Sequence, residues 1–419
     1  MPLLVQKFGG SSVADPDRMR NVADYVARCH RRGDSVAMVV SAMGKETDEL
    51  LHIASQLSKR ADGREMDMLI TAGERKAIAL MCMALNELGV PAQSFTGSQA
   101  GFLTDSTHQN AKIIEIKPFR VEECIANGIV PVIAGSQGVS PEKNVTFLGR
   151  GGSDTTAVAL AKALGADFCE LFTDVSGVFT ADPRVVPRAT RMASISFDEL
   201  LEMTATGCPK PAMRSVEVAH NHNVPLHIRS AFTWEPGTLV ADEETLSARY
   251  AESRSELENP LEQPIIRAVT HDLSESKVTV SDVPDKPGVS AALFRALADA
   301  GVNVDMIVQN VSEQGNTDIS FTVPSEDAER AHHLVVNDII GQIGGHVLPL
   351  DPTIGRVSVI GAGMKSNPGV AATMFETLAG NGINIEMIST SAIRISCVVA
   401  SDRAEEAVQA LHTAFGLDH

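Results

Sequence analysis

Along the first 240 positions, short continuous apolar runs alternate with apolar residues at helical spacing. Leu3-Leu4-Val5 is followed by Met19, Val22, Val26 and Cys29 at helical intervals, with Gly33 as the stop. Val36 to Val40 is unbroken and ends in Ser41-Ala42-Met43-Gly44, and a helix starts near Thr47-Asp48-Glu49-Leu50. Met66 to Leu88 has a helical period. Ile129 to Ala134 and Val145 to Leu148 read as strands, ending at Gly135 and in Gly149-Arg150-Gly151-Gly152-Ser153-Asp154. A helix over Thr155 to Leu164, a strand over Phe168 to Phe172 and the loop Thr173-Asp174 complete the series. Buried-type strands alternating with amphipathic helices predict an α/β fold, a mostly parallel sheet covered on both faces in three αβα layers. Ligands of such sheets lie beyond the carboxyl ends of the strands, where Gly9, Gly10, Ser41, the 149–154 loop and Thr173-Asp174 all fall.

The pattern changes after position 240. Residues 241–262 are rich in Glu, Ser and Ala without an apolar period and read as a linker. Beyond them Pro287 to Ile307 repeats as Pro368 to Ile388, with 11 of 21 positions identical at a constant offset. Each copy predicts strand, Pro-Gly turn, amphipathic helix, Gly-Val/Ile-Asn turn and strand. Two copies imply a domain duplication, placed at 263–345 and 346–419, with an early strand near 264–270 available to the second copy. Gly361-Ala362-Gly363 after Val357 to Ile360 imitates a dinucleotide fingerprint, but the third glycine is missing and the repeat explains the stretch better.

Composition narrows the function. The chain has 419 residues, 44% hydrophobic and 21% charged, the profile of a globular protein of two or three domains. A net charge of −18 and few aromatics argue against nucleic acid or an anionic membrane as partner. The six cysteines are scattered without a CxxC pair, as expected of reduced thiols. With neither a signal segment nor a long apolar run, a cytoplasmic location is expected.

Candidate chemistry gathers at the strand ends. Lys7-Phe8-Gly9-Gly10-Ser11-Ser12, between a strand and a helix, sets one ammonium beside unhindered backbone N–H groups, a setting for phosphate. An ordinary strand–turn–helix corner also fits it, and the Walker spacing is absent. Arg150 has the fork for a carboxylate. Asp154 suits either chemistry or an N-cap, and Glu74 either an ammonium or a surface pair. His220 and His222 have metal-like spacing with no further ligands about them and read as a helix end.

The series Lys7 to Ser12, Val40 to Gly44, Thr71 to Arg75, Gly149 to Thr155, Thr173 to Val178 and Thr180 to Arg184 resembles the motif series of the aspartokinases, in family order. The resemblance implies an amino-acid-kinase fold with two C-terminal βαββαβ modules of the ACT type. It also implies transfer of a phosphoryl group from ATP, with Mg²⁺, to L-aspartate. By that resemblance Lys7, Phe8, Gly9 and Gly10 serve the ATP phosphates. Thr173, Asp174, Phe179, Arg184 and Lys210 serve the nucleotide. Ser41, Thr47, Glu74, Arg150, Gly151, Gly152 and Ser153 hold aspartate, and Asp154 orients Lys7. No residue is assigned to a protein-bound metal. Asp285, Gly288, Ser290 and Gln309, with Asn384, Ile385 and Ser391, would bind the effectors lysine or threonine, and the ACT modules imply a homo-oligomer. One departure stands out. Where the family reads Gly-x-Lys, this chain has Gly207-Cys208-Pro209-Lys210, so the lysine is displaced by one residue. Another amino-acid kinase, or an inactive amino-acid sensor, would share part of this pattern; the intact Lys7, Glu74, Asp154 and Asp174 argue against the second.

Overall fold

The computed structural model describes residues 2–59, 63–242, 244–246, 265–310 and 315–418. Its first part runs β1 (Leu3–Phe8), α1 (Pro16–Arg32), β2 (Ser35–Val40), α2 (Glu46–Leu57), α3 (Gly63–Ile70), α4 (Ala72–Glu87), β3 (Ala92–Phe95), β4 (Phe102–Thr104) and β5 (Ile113–Ile116). It continues α5 (Phe119–Ala126), β6 (Val130–Ala134), β7 (Gln137–Val139), β8 (Val145–Phe147), α6 (Gly152–Leu164), β9 (Phe168–Thr173), β10 (Ser194–Ser196), α7 (Phe197–Ala205), α8 (Met213–His222), β11 (Leu226–Ser230) and β12 (Thr238–Ala241).

An eight-stranded sheet in the order β10-β12-β11-β9-β1-β2-β6-β3 forms the frame, parallel throughout except for β11 against β12. The chain leaves β1 toward β2 on one side and returns as β9 on the other, so the strand order reverses beside β1, the usual place for a ligand in an open α/β sheet. Phe8, Met38, Val40, Val132, Ala134 and Phe172 form one core with Met19, Val22 and Val26 of α1 and Ala77, Ile78 and Met81 of α4. Helix α6 packs on β1 and β9. Sequence signals set α1 well: Asp15 Oδ1 accepts the Arg18 N–H at 2.9 Å, Pro16 opens the helix and Gly33 closes it with φ 97°.

Two expectations need correction. The span Met66 to Leu88 is two helices parted at Thr71, whose hydroxyl turns back to the Asp67 carbonyl at 2.7 Å. Strand β8 is not in the main sheet but in a separate one, β5-β4-β7-β8, where it pairs antiparallel with β7. An apolar run tells that a strand is buried, not which sheet buries it. His220 and His222 occupy the last turn of α8.

The C-terminal part contains β13 (Ala268–Asp272), β14 (Glu275–Pro284), a helix Val289–Asp299, β15 (Ile307–Gln309), β16 (Asn316–Pro324), a helix from Ala328 and β17 (His346–Val347). It ends with β18 (Ile354–Ile360), helix Val370–Gly380, β19 (Met387–Thr390), β20 (Arg394–Ala400) and helix Ala404–Ala414. The strands make two antiparallel four-stranded sheets, β15-β16-β14-β17 and β13-β18-β20-β19. Each copy of the repeat thus supplies three strands of a βαββαβ module. The fourth strand of the second sheet is β13, from the start of the 263–345 span and beside the early strand expected for the second copy, while β17, at the start of the 346–419 span, joins the first sheet. Of the expected linker 241–262, residue 243 and residues 247–262 lie outside the described residues.

The chain divides into two compact units that interleave in sequence. Phe179–Thr190 and Ala205–Cys208 belong with the C-terminal unit, while Arg191–Thr204 belongs with the N-terminal one. In the C-terminal unit Arg356 of β18 is 1% exposed. Its guanidinium meets Asp272 at 3.3 Å, Glu275 at 3.1 Å and Asp305, and donates to the Ala205 carbonyl at 2.8 Å. All six cysteines are free thiols, and among the described residues no helix is long and apolar enough to cross a membrane.

Truncating Arg356 would leave the buried Glu275 carboxyl, with Asp272 and Asp305 beside it, without its counter-charge. Arg356→Leu is expected to cost roughly 3–5 kcal/mol of stability in urea unfolding, and Arg20→Leu, at an exposed pair, close to nothing. Equal midpoints for the two variants would refute the assignment of Arg356 as a structural centre.

Candidate active site

At the end of β1, Lys7 and Phe8 project from opposite faces of the sheet. Phe8 is buried and stacks on Phe172 with ring centroids 4.7 Å apart, so only its backbone is left for a ligand. Lys7 Nζ lies 2.5 Å from Asp154 Oδ1, each side chain 9% exposed. Asp154 is the third residue of α6, where the helix dipole favours a carboxylate. Its second oxygen accepts the Ala212 N–H at 3.3 Å. One carboxylate therefore ties together β1, α6 and the loop leading into α8.

Gly9 and Gly10 follow Phe8 directly. A Cβ on Gly10 would come within 2.8 Å of the Ala42 carbonyl oxygen and 3.0 Å of that of Gly44, so a side chain there would push two backbones apart. The Gly44 N–H donates to the Gly10 carbonyl at 3.0 Å and the Ser41 N–H to that of Phe8 at 3.1 Å. The glycine turn and the Ser41–Gly44 loop thus form one wall. Thr47 lies in the first turn of α2 beside it.

Glu74, the third residue of α4, is 3% exposed. Burial pushes its carboxyl up to about 7, opposed by bonds from its own N–H and that of Ala42, and helped upward by the charge of Glu46. Its Oε2 is buried without a partner. A buried carboxylate oxygen left open in this way suits an incoming cation. Glu46 binds Lys76 at 2.6 Å through its other oxygen.

The 149–153 loop is held from behind. Arg214 donates to the carbonyls of Leu148 at 2.8 Å and Ala111 at 2.7 Å, and Ser153 Oγ lies 3.0 Å from Ser136 Oγ. Gly151 has φ 72°, and a Cβ there would strike that of Ala212 at 2.4 Å. Gly152 begins α6 and Arg150 is exposed on the crest of the loop.

On the β9 side, Thr173 Oγ1 donates to Asp174 Oδ1 at 2.9 Å, and Lys210 Nζ is 3.7 Å from the same oxygen. Burial works against the charge on Asp174, but the Lys210 ammonium and the Thr173 bond outweigh it and hold the carboxyl below its ordinary value. The displaced lysine is therefore at the end of β9, two residues from Ala212 and its bond to Asp154.

Phe179 and Arg184 fall in the C-terminal unit, where Arg184 forks onto Asp182 with Nη2–Oδ2 at 2.6 Å. Among the expected effector residues, Ser290 Oγ donates to Gln309 Oε1 at 2.8 Å, while Asp285 and Gly288 are exposed in the turn before the first repeat helix. Asn384 and Ser391 are exposed on either side of β19, and Ile385 packs against the second module's core. Four polar side chains among the described residues were missed by sequence reasoning: Gln6, Ser12, Glu46 and Thr155 each bury an oxygen without a partner in this N-terminal unit. Ser12 and Thr155 belong to the quoted motifs, so a signal existed, but chain position does not tell which hydroxyl faces inward.

The N-terminal unit thus carries two lysine–carboxylate pairs, glycine turns without room for a side chain and a buried, open carboxylate oxygen near the carboxyl ends of its strands. The amino acid kinase family model matches residues 2–230, and the ACT domain model residues 278–337 and 357–415. The aspartokinase of Mycolicibacterium smegmatis is 50% identical over 421 residues, covering 100% of this chain and 97% of that one. The aspartokinase of Corynebacterium glutamicum is 49% identical, with 100% and 97% covered. The structure of E. coli aspartokinase III in complex with aspartate and ADP superposes with a TM-score of 0.79 at 25% identity, over 98% of this chain and 99% of that one. The chain belongs to the amino acid kinase family, among its aspartokinases.

Because the Ala42 and Gly44 carbonyls leave no space at Gly10, Gly10→Ala is expected to lower kcat/KM for ATP by at least about tenfold, one displaced charge-assisted contact, with the far-ultraviolet circular dichroism unchanged. Wild-type kinetics would show that this backbone approach is not needed.

Proposed function

We propose that the chain transfers the γ-phosphoryl group of ATP to the side-chain carboxylate of L-aspartate, giving 4-phospho-L-aspartate and ADP. The observation that carries this reading is the open, buried Glu74 oxygen on the Ala42 wall, into which Gly10, three residues beyond Lys7, is also built. Glu74 receives the ammonium of aspartate, and Ser41, Thr47, Arg150 and the Gly151–Ser153 backbone orient its carboxylates. The attacking carboxylate is already a nucleophile, so the residues have only to place two anions in line and neutralise the transferring charge. Lys7, held by Asp154, serves the phosphoryl group, and Gly9 and Gly10 present backbone N–H groups to the phosphates. Thr173, Asp174 and Lys210 attend the nucleotide, with Phe179 and Arg184 in the same role. Among the described residues no cluster of three metal-type ligands occurs. Mg²⁺ would enter with the ATP phosphates, whose charge it shields.

The ACT modules point to feedback. E. coli aspartokinase III has been solved with lysine and aspartate, which supports lysine as effector here, with threonine as a second. Asp285, Gly288, Ser290 and Gln309 of the first copy bind an effector such as threonine, and Asn384, Ile385 and Ser391 of the second help to bind lysine or form the shared interface. Ile307 on β15 and Ile388 on β19 remain exposed on edge strands, rows suited to a second copy of the chain.

An ATP-dependent hydroxamate assay with aspartate, glutamate and no acceptor tests the reaction. Aspartate-specific acyl phosphate is expected, and its absence from folded protein would overturn the reading.

Glu74 gives a second test. Its carboxyl, raised to about 7, must lose its proton before it can bind an ammonium. So kcat/KM for aspartate should fall by about tenfold per pH unit below that value and level off above it. Glu74→Gln should flatten this limb and raise KM for aspartate roughly 10- to 100-fold while sparing KM for ATP. Equal losses for both substrates would remove Glu74 from the aspartate site.

A further inference from the structure

Asp67, on α3 of the N-terminal unit, is wholly buried, a rare place for a carboxyl unless it is paired. It takes bonds from two stretches of chain far apart in sequence. Oδ1 accepts the Gln109 N–H at 2.9 Å and Oδ2 the Phe147 N–H at 3.0 Å, while His108 Nδ1 lies 2.7 Å from Oδ2. A carboxylate only accepts, so Nδ1 carries its proton toward Asp67. The Ala111 N–H donates to the Phe147 carbonyl at 2.9 Å. The 108–111 segment and the end of β8 therefore lie side by side on this one carboxylate.

A cation holds the same two segments by their other polar groups. Arg214, on α8 of the same unit, donates to the carbonyls of Leu148 at 2.8 Å and Ala111 at 2.7 Å. Asp67 takes N–H groups and Arg214 takes carbonyls, so neither can replace the other. Together they fix Phe147 and Leu148, the last two residues before the 149–153 loop. A Cβ on Gly149 would come within 3.2 Å of the Gln109 carbonyl oxygen, so the first residue of the loop also rests on the clamped segment. The far end of the loop runs into α6 and Asp154, which pairs with Lys7. Arg150 stands exposed between these two fixed ends.

We propose that Asp67 and Arg214 are positioning residues for the acceptor substrate. They set where the 149–153 loop begins, and through it where Arg150 and the Gly151–Ser153 backbone stand. The inference rests on the reading that this loop holds the carboxylates of aspartate. The glycine turn that serves the ATP phosphates is placed by its own contacts to Ala42 and Gly44, so loosening the clamp weakens aspartate and spares ATP.

The test is steady-state kinetics of the full-length enzyme with each substrate varied in turn, alongside thermal melting. Asp67→Asn keeps the shape of the side chain but sets an NH₂ donor where a backbone N–H has to be accepted. Arg214→Lys keeps the charge and gives up the fork that reaches two carbonyls. Arg150→Ala serves as the reference for the aspartate reading. Asp67→Asn and Arg214→Lys are each expected to raise KM for aspartate about 3- to 10-fold, the equivalent of one lost hydrogen bond, with KM for ATP unchanged. Should Asp67→Asn not fold, Arg214→Lys alone decides. If Arg150→Ala raises KM for aspartate while the two clamp variants lower only the melting temperature, the clamp is structural and the proposal is overturned. If Arg150→Ala leaves KM for aspartate unchanged, the loop is not an aspartate contact and the proposal falls with that reading. Losses shared equally by the two substrates also refute it.

Discussion

The Lys7–Asp154 ion pair is the constraint on which the N-terminal unit depends. Two opposite charges 2.5 Å apart, both almost wholly withdrawn from water, are a costly way to gain stability. Desolvation offsets most of their attraction, and an apolar pair of similar volume would pack there with less expense. What the pair supplies is placement. Asp154 holds a lysine at the end of the strand where the sheet order reverses, and its second oxygen draws in the Ala212 N–H, so the loop carrying Lys210 is tied to the same carboxylate.

The rest of the site is arranged around that anchor by backbone contacts. The glycines admit close approaches that a Cβ would prevent, at Gly10 against Ala42 and Gly44 and at Gly151 against Ala212. Polar side chains close the remaining gaps. Arg214 holds the carbonyls beneath the 149–153 loop, and Ser136 meets Ser153. The second lysine–carboxylate pair, Lys210 with Asp174, stands in a wetter setting, each side chain about half exposed, so it is held more loosely and is screened by solvent. A firm pair and a loose one fit the proposed reaction, in which Lys7 serves the phosphoryl group and Lys210 the nucleotide.

The C-terminal unit uses buried polar centres in a different way. Arg356 gathers carboxylates from β13 and β14 and the Ala205 carbonyl, so a single guanidinium joins the two repeat sheets to the Ala205–Cys208 piece of the same unit. Burial is the first cause that lifts Glu275 to about 7, against the pull of Arg356. Thr206 meets Thr270 through their hydroxyls at 2.7 Å a residue further on. Short pieces of chain from the middle of the sequence are thereby fastened into a unit otherwise made from its last third.

Much of this was legible from residue order alone, because the deciding forces are local. The alternation of apolar runs with helical spacing set the parallel sheet and its helices, Asp15, Pro16 and Gly33 bounded α1, and the 21-residue match exposed the duplication. The motif residues at strand ends also followed from order, since a parallel sheet brings those ends to one edge. Other features needed tertiary structure. Nothing local placed β8 in a second sheet, because strand pairing is chosen by long-range packing. Nor did spacing tell that Phe8 turns its ring away from the site while Lys7 faces it, or that a lysine displaced by one residue still meets Asp174. The sequence determined which groups this protein has and along which elements they lie; only the fold decided which of them are buried together, and burial gives Glu74 its open oxygen and Asp67 its backbone and imidazole partners.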